Sequence, residues 1–341
     1  MLDTVDEIEE LMNSIVDTTK DYKNGKVMSK DHVEKWIEQF NESSRLTILK
    51  EIDHILKKHY VSKERTAEFM ELLINKKEIV GDFKTNYPAV SFLEIQRKGE
   101  SQRELLELLG DTMEEKFDIK LSDCGKQPNT YIYFDDCMFS GNTAFWDIKK
   151  WANENEIQNV TLHLVFLAMY NSNYSYLTRN LKSLFKGKNV EFKFWRIHEF
   201  SNNAFNSKEY LCLWPTEHKG DDVHVTNFRK AMEEQREQKG NSRFPLFRSE
   251  TYPTSETLFT SKEARVVVEQ AFLTHGAYLY TFTNNPSFKP MGYSYFSDLG
   301  FGSLFVTYRN IANNSPLVLW WGDINQKHLN QWYPLFPRRV N

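Results

Sequence analysis

Tyr131-Ile-Tyr-Phe-Asp-Asp-Cys-Met-Phe-Ser-Gly-Asn-Thr143 is the stretch on which the reading of this chain turns. Its first four residues, Tyr131–Phe134, form a short extended segment, and two adjacent carboxylates, Asp135 and Asp136, end it. Ser140-Gly-Asn-Thr143 then leads into a helix expected over residues 143–153. A glycine lets the backbone approach a ligand closely, and successive amides at a helix start cradle an anion. Ser140 and Thr143 add hydroxyl donors to the same place. One end of this loop suits a phosphate; the other suits hydroxyls or a hydrated metal. A sugar phosphate carries both.

The segments on either side place that loop in a sheet. Upstream, Ala89-Val-Ser-Phe-Leu-Glu-Ile95 reads as a strand, Gln96–Ser101 as a loop and 102–116 as a helix striped by Leu105, Leu106, Leu108, Leu109 and Met113. A further short extended piece is expected at 117–121. Downstream come a strand at 160–169, a helix at 174–185 and a strand at 190–197. Alternating strands and helices imply parallel βαβ units. Val160-Thr-Leu-His-Leu-Val-Phe-Leu-Ala168 is almost continuously apolar, the mark of a strand covered on both faces. The fold class expected is α/β with an open, mainly parallel sheet. In such sheets ligands bind beyond the carboxyl ends of the strands, where Asp135 and Asp136 fall.

Around this core, at 81–215, the chain divides into a helical region at 1–80, a charge-dense linker or insertion at 216–250 and an aromatic-rich α+β extension at 251–341. In the first region Ser29 can cap a helix whose stripe is Val33, Trp36, Ile37 and Phe40. Residues 44–60 repeat the pattern, and Ser62 opens a third helix. Thr260 and Glu263 form a capping-box pattern for a helix through Phe272. His163 reads as a core histidine of the sheet, and His275, before Gly276, as a residue at a helix C-terminus.

Over 341 residues, 40% hydrophobic and 26% charged, the composition is that of a globular protein. No apolar run reaches the roughly 18–20 residues that span a bilayer, and the acidic start lacks the order of a signal peptide, so a cytoplasmic protein without a membrane partner is expected. Cys124, Cys137 and Cys212 lie far apart and give no metal site. The net charge of −4 removes the simplest argument for a strong, direct nucleic-acid ligand. Lys182, Lys186 and Lys188 could form a local basic stripe, but such stripes are usually solvated faces.

The run 131–143 resembles the phosphoribosyl-pyrophosphate signature of type I phosphoribosyltransferases: four apolar residues, two acids, two apolar residues, a variable residue, Ser or Thr, Gly, any residue, Ser or Thr. The plain alternative is an Asp-Asp turn that merely caps a helix. A haloacid-dehalogenase-like loop is discounted, because Cys137 stands where its second acid belongs. The resemblance implies that Asp135 and Asp136 bind the ribose 2′ and 3′ hydroxyls, and that Phe139, Ser140, Gly141, Asn142 and Thr143 wrap the 5′-phosphate. It also gives a role to the earlier loop Arg97-Lys-Gly-Glu-Ser101: Gly99 for close approach, Ser101 at a helix start, and Arg97 or Lys98 to neutralise pyrophosphate. Mg²⁺ would be held through substrate oxygens and water, with no direct protein ligands. The reaction implied is glycosyl transfer or N-glycosidic hydrolysis at the ribose anomeric carbon. Such transfer needs no protein nucleophile.

Two departures stand out. Phe139 occupies the place where relatives acting on 6-oxopurines put an acid, which argues against hypoxanthine or guanine salvage. Residues 122–129 are short for the mobile hood that many members carry before the signature strand, which favours a non-catalytic sensor of nucleotide or phosphoribosyl pyrophosphate. From about residue 30 to the end, including Leu299-Gly-Phe-Gly302, Thr307-Tyr-Arg-Asn310, Asn313–Trp321 and Pro334-Leu-Phe-Pro-Arg-Arg339, the chain is similar to phosphoribosyltransferase-like proteins of bacterial conflict and anti-phage systems. That similarity implies an effector or accessory role with a partner protein. Arg309, Asn310 and Asn313, beside aromatics in the tail and near Arg338 and Arg339, are candidate acceptor contacts, although turns and helix caps account for them equally well.

Overall fold

The computed structural model describes residues 2–97, 99–201, 208–218, 220–239 and 245–338. In chain order the helices are α1 (Leu2–Thr18), α2 (Lys30–Ile37), α3 (Glu42–His59), α4 (Lys63–Ile74), the single turns α5 (Lys77–Val80) and α6 (Phe83–Asn86), α7 (Ser101–Phe117), α8 (Asn142–Glu154), α9 (Tyr174–Leu184), α10 (Val223–Lys239), α11 (Lys262–Tyr280) and α12 (Leu317–Trp320). The strands are β1 (Val90–Leu93), β2 (Thr130–Met138), β3 (Val160–Tyr170), β4 (Val190–Phe200) and a two-residue pair, β5 (Phe288–Lys289) and β6 (Gly292–Tyr293). The chain forms two compact units, one of residues 63–200 and one of residues 1–62 with 201–341. The helical front read from the sequence is thus shared between them, and its first 62 residues join the C-terminal extension.

The unit 63–200 holds the sheet, a four-stranded, all-parallel arrangement in the order β1-β2-β3-β4. This is the open, parallel α/β sheet that the sequence predicts. Register follows from the side-chain alternation of strands. Tyr133, Leu164 and Phe194 share one row, and Phe134, Val165 and Trp195 share the next on the opposite face. The first face packs Tyr133, Leu164 and Phe166 against Ile148 and Trp151 of α8 and Leu177 and Leu181 of α9. Leu164, Ile148, Leu177 and Leu181 are fully buried, each contributing about 1.5–3 kcal/mol of apolar transfer. On the second face Phe92 stacks on Phe134 with centroids 6.3 Å apart. There His163 is a core histidine, as expected. Its Nδ1 accepts the Trp195 indole N–H at 2.9 Å, and burial, with Lys193 adding to it, pushes its pKa down to about 4.

Two local expectations fail in this unit. Residues 117–121 are not extended: α7 runs to Phe117, Asp118 ends it in the left-handed region (φ 56°) with its N–H on the Glu114 carbonyl, and a 3₁₀ turn follows at Leu121–Asp123. A short polar side chain tolerates that conformation, which reverses the chain before a strand can start. And β2 does not stop at Phe134. It continues to Met138, because Cys137 and Met138 still find partners in Ala168 and Met169 of the longer β3. Asp135 and Asp136 therefore sit within the last residues of a strand rather than after it.

In the other unit α11 is the central helix, packed by α3, α10 and α12. Its cap is Ser261, whose Oγ accepts the Ala264 N–H at 3.0 Å, not Thr260, which binds Glu51 instead. The helix runs through Tyr280, so His275 is interior to it, in edge contact with Phe40, and Gly276 serves close approach: a Cβ there would meet Pro290 at 2.9 Å. Residues 216–250, expected to be a linker or insertion, contain α10, whose Val225, Phe228 and Met232 are buried. The apolar stripe was hidden by the charges between its members. A buried ion network fastens the preceding strands of coil to α11: Arg265 to Glu269 at 3.0 Å and to Glu256 at 2.9 Å, and Arg248 to Glu269 at 2.6 Å.

Candidate functional site

The carboxyl end of β2 gathers several of the residues singled out by sequence. Asp135 is buried beneath the α8 face of the sheet and Asp136 is half-buried beside it. Asp135 Oδ1 accepts the Ser101 hydroxyl at 2.9 Å and the Asp136 N–H at 2.9 Å. Burial, reinforced by the neighbouring Asp136 carboxylate, holds the Asp135 carboxyl well above the usual range. Two acids on successive residues, one of them desolvated, repel each other, and a hydroxyl-rich or cationic ligand relieves that repulsion.

The loop after β2 turns at Gly141, whose φ of +76° is the left-handed region that glycine adopts at low cost. Its Cα hydrogens face Leu177 of α9, where a Cβ would lie 3.1 Å from the Leu177 Cβ. Helix α9 and the residue before it brace the loop at two further points: Asn173 Nδ2 donates to the Phe139 carbonyl at 2.9 Å, and the Tyr176 hydroxyl donates to Asn142 Oδ1 at 2.9 Å. Phe139 itself lies parallel to Phe200, centroids 6.4 Å apart. Ser140, Asn142 and Thr143 are exposed. Ser140 Oγ takes the Asn142 N–H at 3.2 Å. The next amides, of Thr143 and Ala144, belong to the first turn of α8, which has no intrahelical acceptors for them. A short, exposed, glycine-turned loop with helix-start amides can hold a phosphoryl group.

The earlier loop lies between β1 and α7. Gly99 is in the left-handed region (φ +93°), and Lys98 lies outside the described residues. Ser101 begins α7 as the sequence predicts, and its hydroxyl is turned inward to Asp135 Oδ1 at 2.9 Å. Arg97 is on the surface, with its Nε 3.0 Å from Asp147 Oδ1. The loop's shape comes from two glutamines that sequence reasoning passed over. Gln102 Oε1 accepts the Gln96 N–H at 2.9 Å and its Nε2 donates to the Phe134 carbonyl at 3.0 Å, while Gln96 Nε2 donates to Ser101 Oγ at 2.7 Å. Asp147 and Tyr133 were missed as well. A buried acid five residues into a helix carries no spacing signal, and Tyr133 reads as one more apolar strand residue.

Arg309, Asn310 and Asn313 belong to the other unit, where their backbone groups make turns. The amides of Arg309 and Asn310 donate to Thr307 Oγ1 at 3.3 and 3.2 Å, and the Asn313 carbonyl accepts the Tyr293 N–H at 2.8 Å. Arg338 donates to the Ile311 carbonyl at 2.9 Å and lies over the Trp320 ring. Arg339 is outside the described residues. Among the described residues no group of three or more His, Cys, Asp or Glu side chains is placed to hold a metal ion, and no helix is long and apolar enough to cross a membrane.

The family described as PRTase-CE matches residues 33–338 of this chain. No curated protein and no solved structure matches it.

Proposed function

The chain belongs to the PRTase-CE family, which is phosphoribosyltransferase-like, and from that premise we propose that it binds a phosphoribosyl ligand at the carboxyl end of β2. The observation that carries the reading is the contiguity of Asp135 and Asp136 with the Gly141 turn on one strand–loop–helix unit. The two acids would take the ribose 2′ and 3′ hydroxyls. The loop 139–143 would take the 5′-phosphate on the first amides of α8 and the hydroxyls of Ser140 and Thr143. Arg97 and the start of α7 would face pyrophosphate. Hard carboxylate oxygens at Asp135 and Asp136 suit a hydrated Mg²⁺ held mainly through the ligand, which would spread the charge of the departing pyrophosphate. The protein's own part is to fix the sugar, exclude competing poses and stabilise the developing charge at the anomeric carbon. The bond broken joins that carbon to pyrophosphate; the bond formed joins it to an acceptor or to water.

A second reading, a nucleotide or phosphoribosyl pyrophosphate sensor without turnover, is favoured by one feature. The chain between α7 and β2 is tied down: the amides of Gly125, Gln127 and Asn129 donate to the carbonyls of Tyr87, Pro88 and Ala89 at 3.4, 3.0 and 3.0 Å. A stretch so engaged, and so short, favours a fixed wall over a mobile hood.

Titration with phosphoribosyl pyrophosphate and Mg²⁺, followed calorimetrically and by pyrophosphate release, decides between them. Binding with release in the presence of an acceptor or water supports the enzyme; binding without release supports the sensor. Asp135→Asn with Asp136→Asn should lose binding by two orders of magnitude or more, and full affinity in that double variant would refute the site. The effector or accessory role in anti-phage conflict, with a partner protein, is tested by plating phage on cells carrying the wild-type or double-variant gene within its system. Equal protection by both would remove the ligand site from that role.

A further inference from the structure

Asp147 stands on α8, one turn and a half beyond the phosphate loop, and its side chain is 1% exposed. All three of its polar contacts run to the neighbouring loop and strand. Oδ1 accepts the Arg97 backbone N–H at 3.2 Å and the Arg97 Nε–H at 3.0 Å. Oδ2 accepts the Tyr133 hydroxyl at 3.2 Å, and that hydroxyl lies 3.5 Å from Asp135 Oδ2. Arg97, by contrast, is 40% exposed in its side chain. The grip of Asp147 on both the main chain and the Nε of one arginine fixes the guanidinium plane while using only its inner edge. Among the described residues the Nη atoms make no hydrogen bond. A planar guanidinium held by Nε presents two parallel N–H donors in a fixed direction, the geometry that suits a phosphoryl oxygen pair.

We propose that Asp147 is a positioning residue that orients the Arg97 guanidinium toward the pyrophosphate of a phosphoribosyl ligand. The inference rests on the reading of the ribose site given above and adds a residue to it. The alternative that the experiment separates is a structural tether for the loop around Arg97. The two differ in what they do to the anion: a tether affects stability and every ligand alike, whereas a positioning residue affects only ligands that reach Arg97.

The experiment compares Mg²⁺-containing titrations of phosphoribosyl pyrophosphate, ribose 5-phosphate and inorganic pyrophosphate on wild type, Asp147→Asn, Arg97→Gln and the double variant, with thermal melts to confirm folding. The expected result is about a tenfold or greater loss of affinity for the two pyrophosphate-bearing ligands in each single variant, no further loss in the double variant, and ribose 5-phosphate affinity within twofold throughout. Asp147→Glu should recover part of the loss, because the carboxylate remains. Equal losses for all three ligands, additive losses in the double variant, or unchanged pyrophosphate affinity would overturn the proposal. Ribose 5-phosphate binding with no discrimination at Arg97 and Asp147 would sink this inference and spare the ribose site. Selective loss of inorganic pyrophosphate with no ribose 5-phosphate binding would do the reverse. Wild-type protein that binds none of the three overturns both.

Discussion

Asp135→Asn should make the protein more stable at neutral pH while abolishing ligand binding. In the folded protein the carboxyl is buried beside a second acid, and its pKa stands well above that of the unfolded chain. Between the two values the folded state binds the proton that the unfolded state has lost, so stability falls as pH rises through that window. The amide removes this penalty and keeps most of the local bonding. Its oxygen can still accept from Ser101 at 2.9 Å and from the Asp136 N–H at 2.9 Å. Its NH₂ replaces the oxygen that lies 3.5 Å from the Tyr133 hydroxyl, which then accepts from the amide and donates to Asp147. Two hydrogen bonds are retained, a long one is exchanged, and the cost of burying a titratable carboxyl disappears. A gain of about 1–2 kcal/mol is the usual scale for relieving a strained functional position, or roughly 2–4 °C per kcal/mol in melting temperature. Circular-dichroism melts at pH 7.5 and pH 4.5 test it. The variant should melt higher at pH 7.5, and the difference should shrink at pH 4.5, where the unfolded wild-type chain comes closer to carrying the same proton as the folded one. A variant that melts lower at pH 7.5, or a difference that grows in acid, would refute the reasoning.

Gly141→Ala forces a left-handed residue and a Cβ against Leu177, so it should cost about 1–2 kcal/mol of stability and weaken phosphate-bearing ligands more than free ribose, read by melting and titration. His163, with its pKa near 4, should show no imidazole titration by NMR between pH 8 and 5.5, and a midpoint above 6 would contradict its burial against Trp195. Arg265→Gln leaves Glu269 and Glu256 buried with one cationic partner fewer and should destabilise its unit by about 3–5 kcal/mol, measured as a drop in denaturation midpoint.

The sheet was legible because its strands advertise themselves. Val160–Tyr170 is apolar on both faces, and Asp135 with Asp136 follows an aromatic run that nothing but a strand explains. The turn at Gly141 before α8 was legible because a glycine between a strand and a helix signals it through local chemistry that needs no distant partner. What stayed hidden depends on contacts remote in sequence. Gln96 and Gln102 read as loop and helix polar residues until they are seen closing on Ser101 and Phe134. Asp147 reads as a solvent-facing helix acid until Arg97 is found 50 positions away. Ser101 reads as the start of a helix, and nothing in the sequence shows that its hydroxyl turns inward to Asp135, 34 positions away. In the other unit α10 was obscured because Val225, Phe228 and Met232 are three apolar residues in a strongly charged stretch, and period alone does not reveal so thin a stripe.

The pinned stretch before β2 also bears on the fate of a reactive sugar. An anomeric carbon that loses its pyrophosphate needs shelter from solvent if an acceptor other than water is to capture it. With residues 125–129 laced to 87–89, that shelter cannot come from the connection between α7 and β2. In the proposed reaction the shelter has to come from the acceptor itself or from another loop at the site, and wherever water reaches the anomeric carbon first the donor is spent as free ribose 5-phosphate.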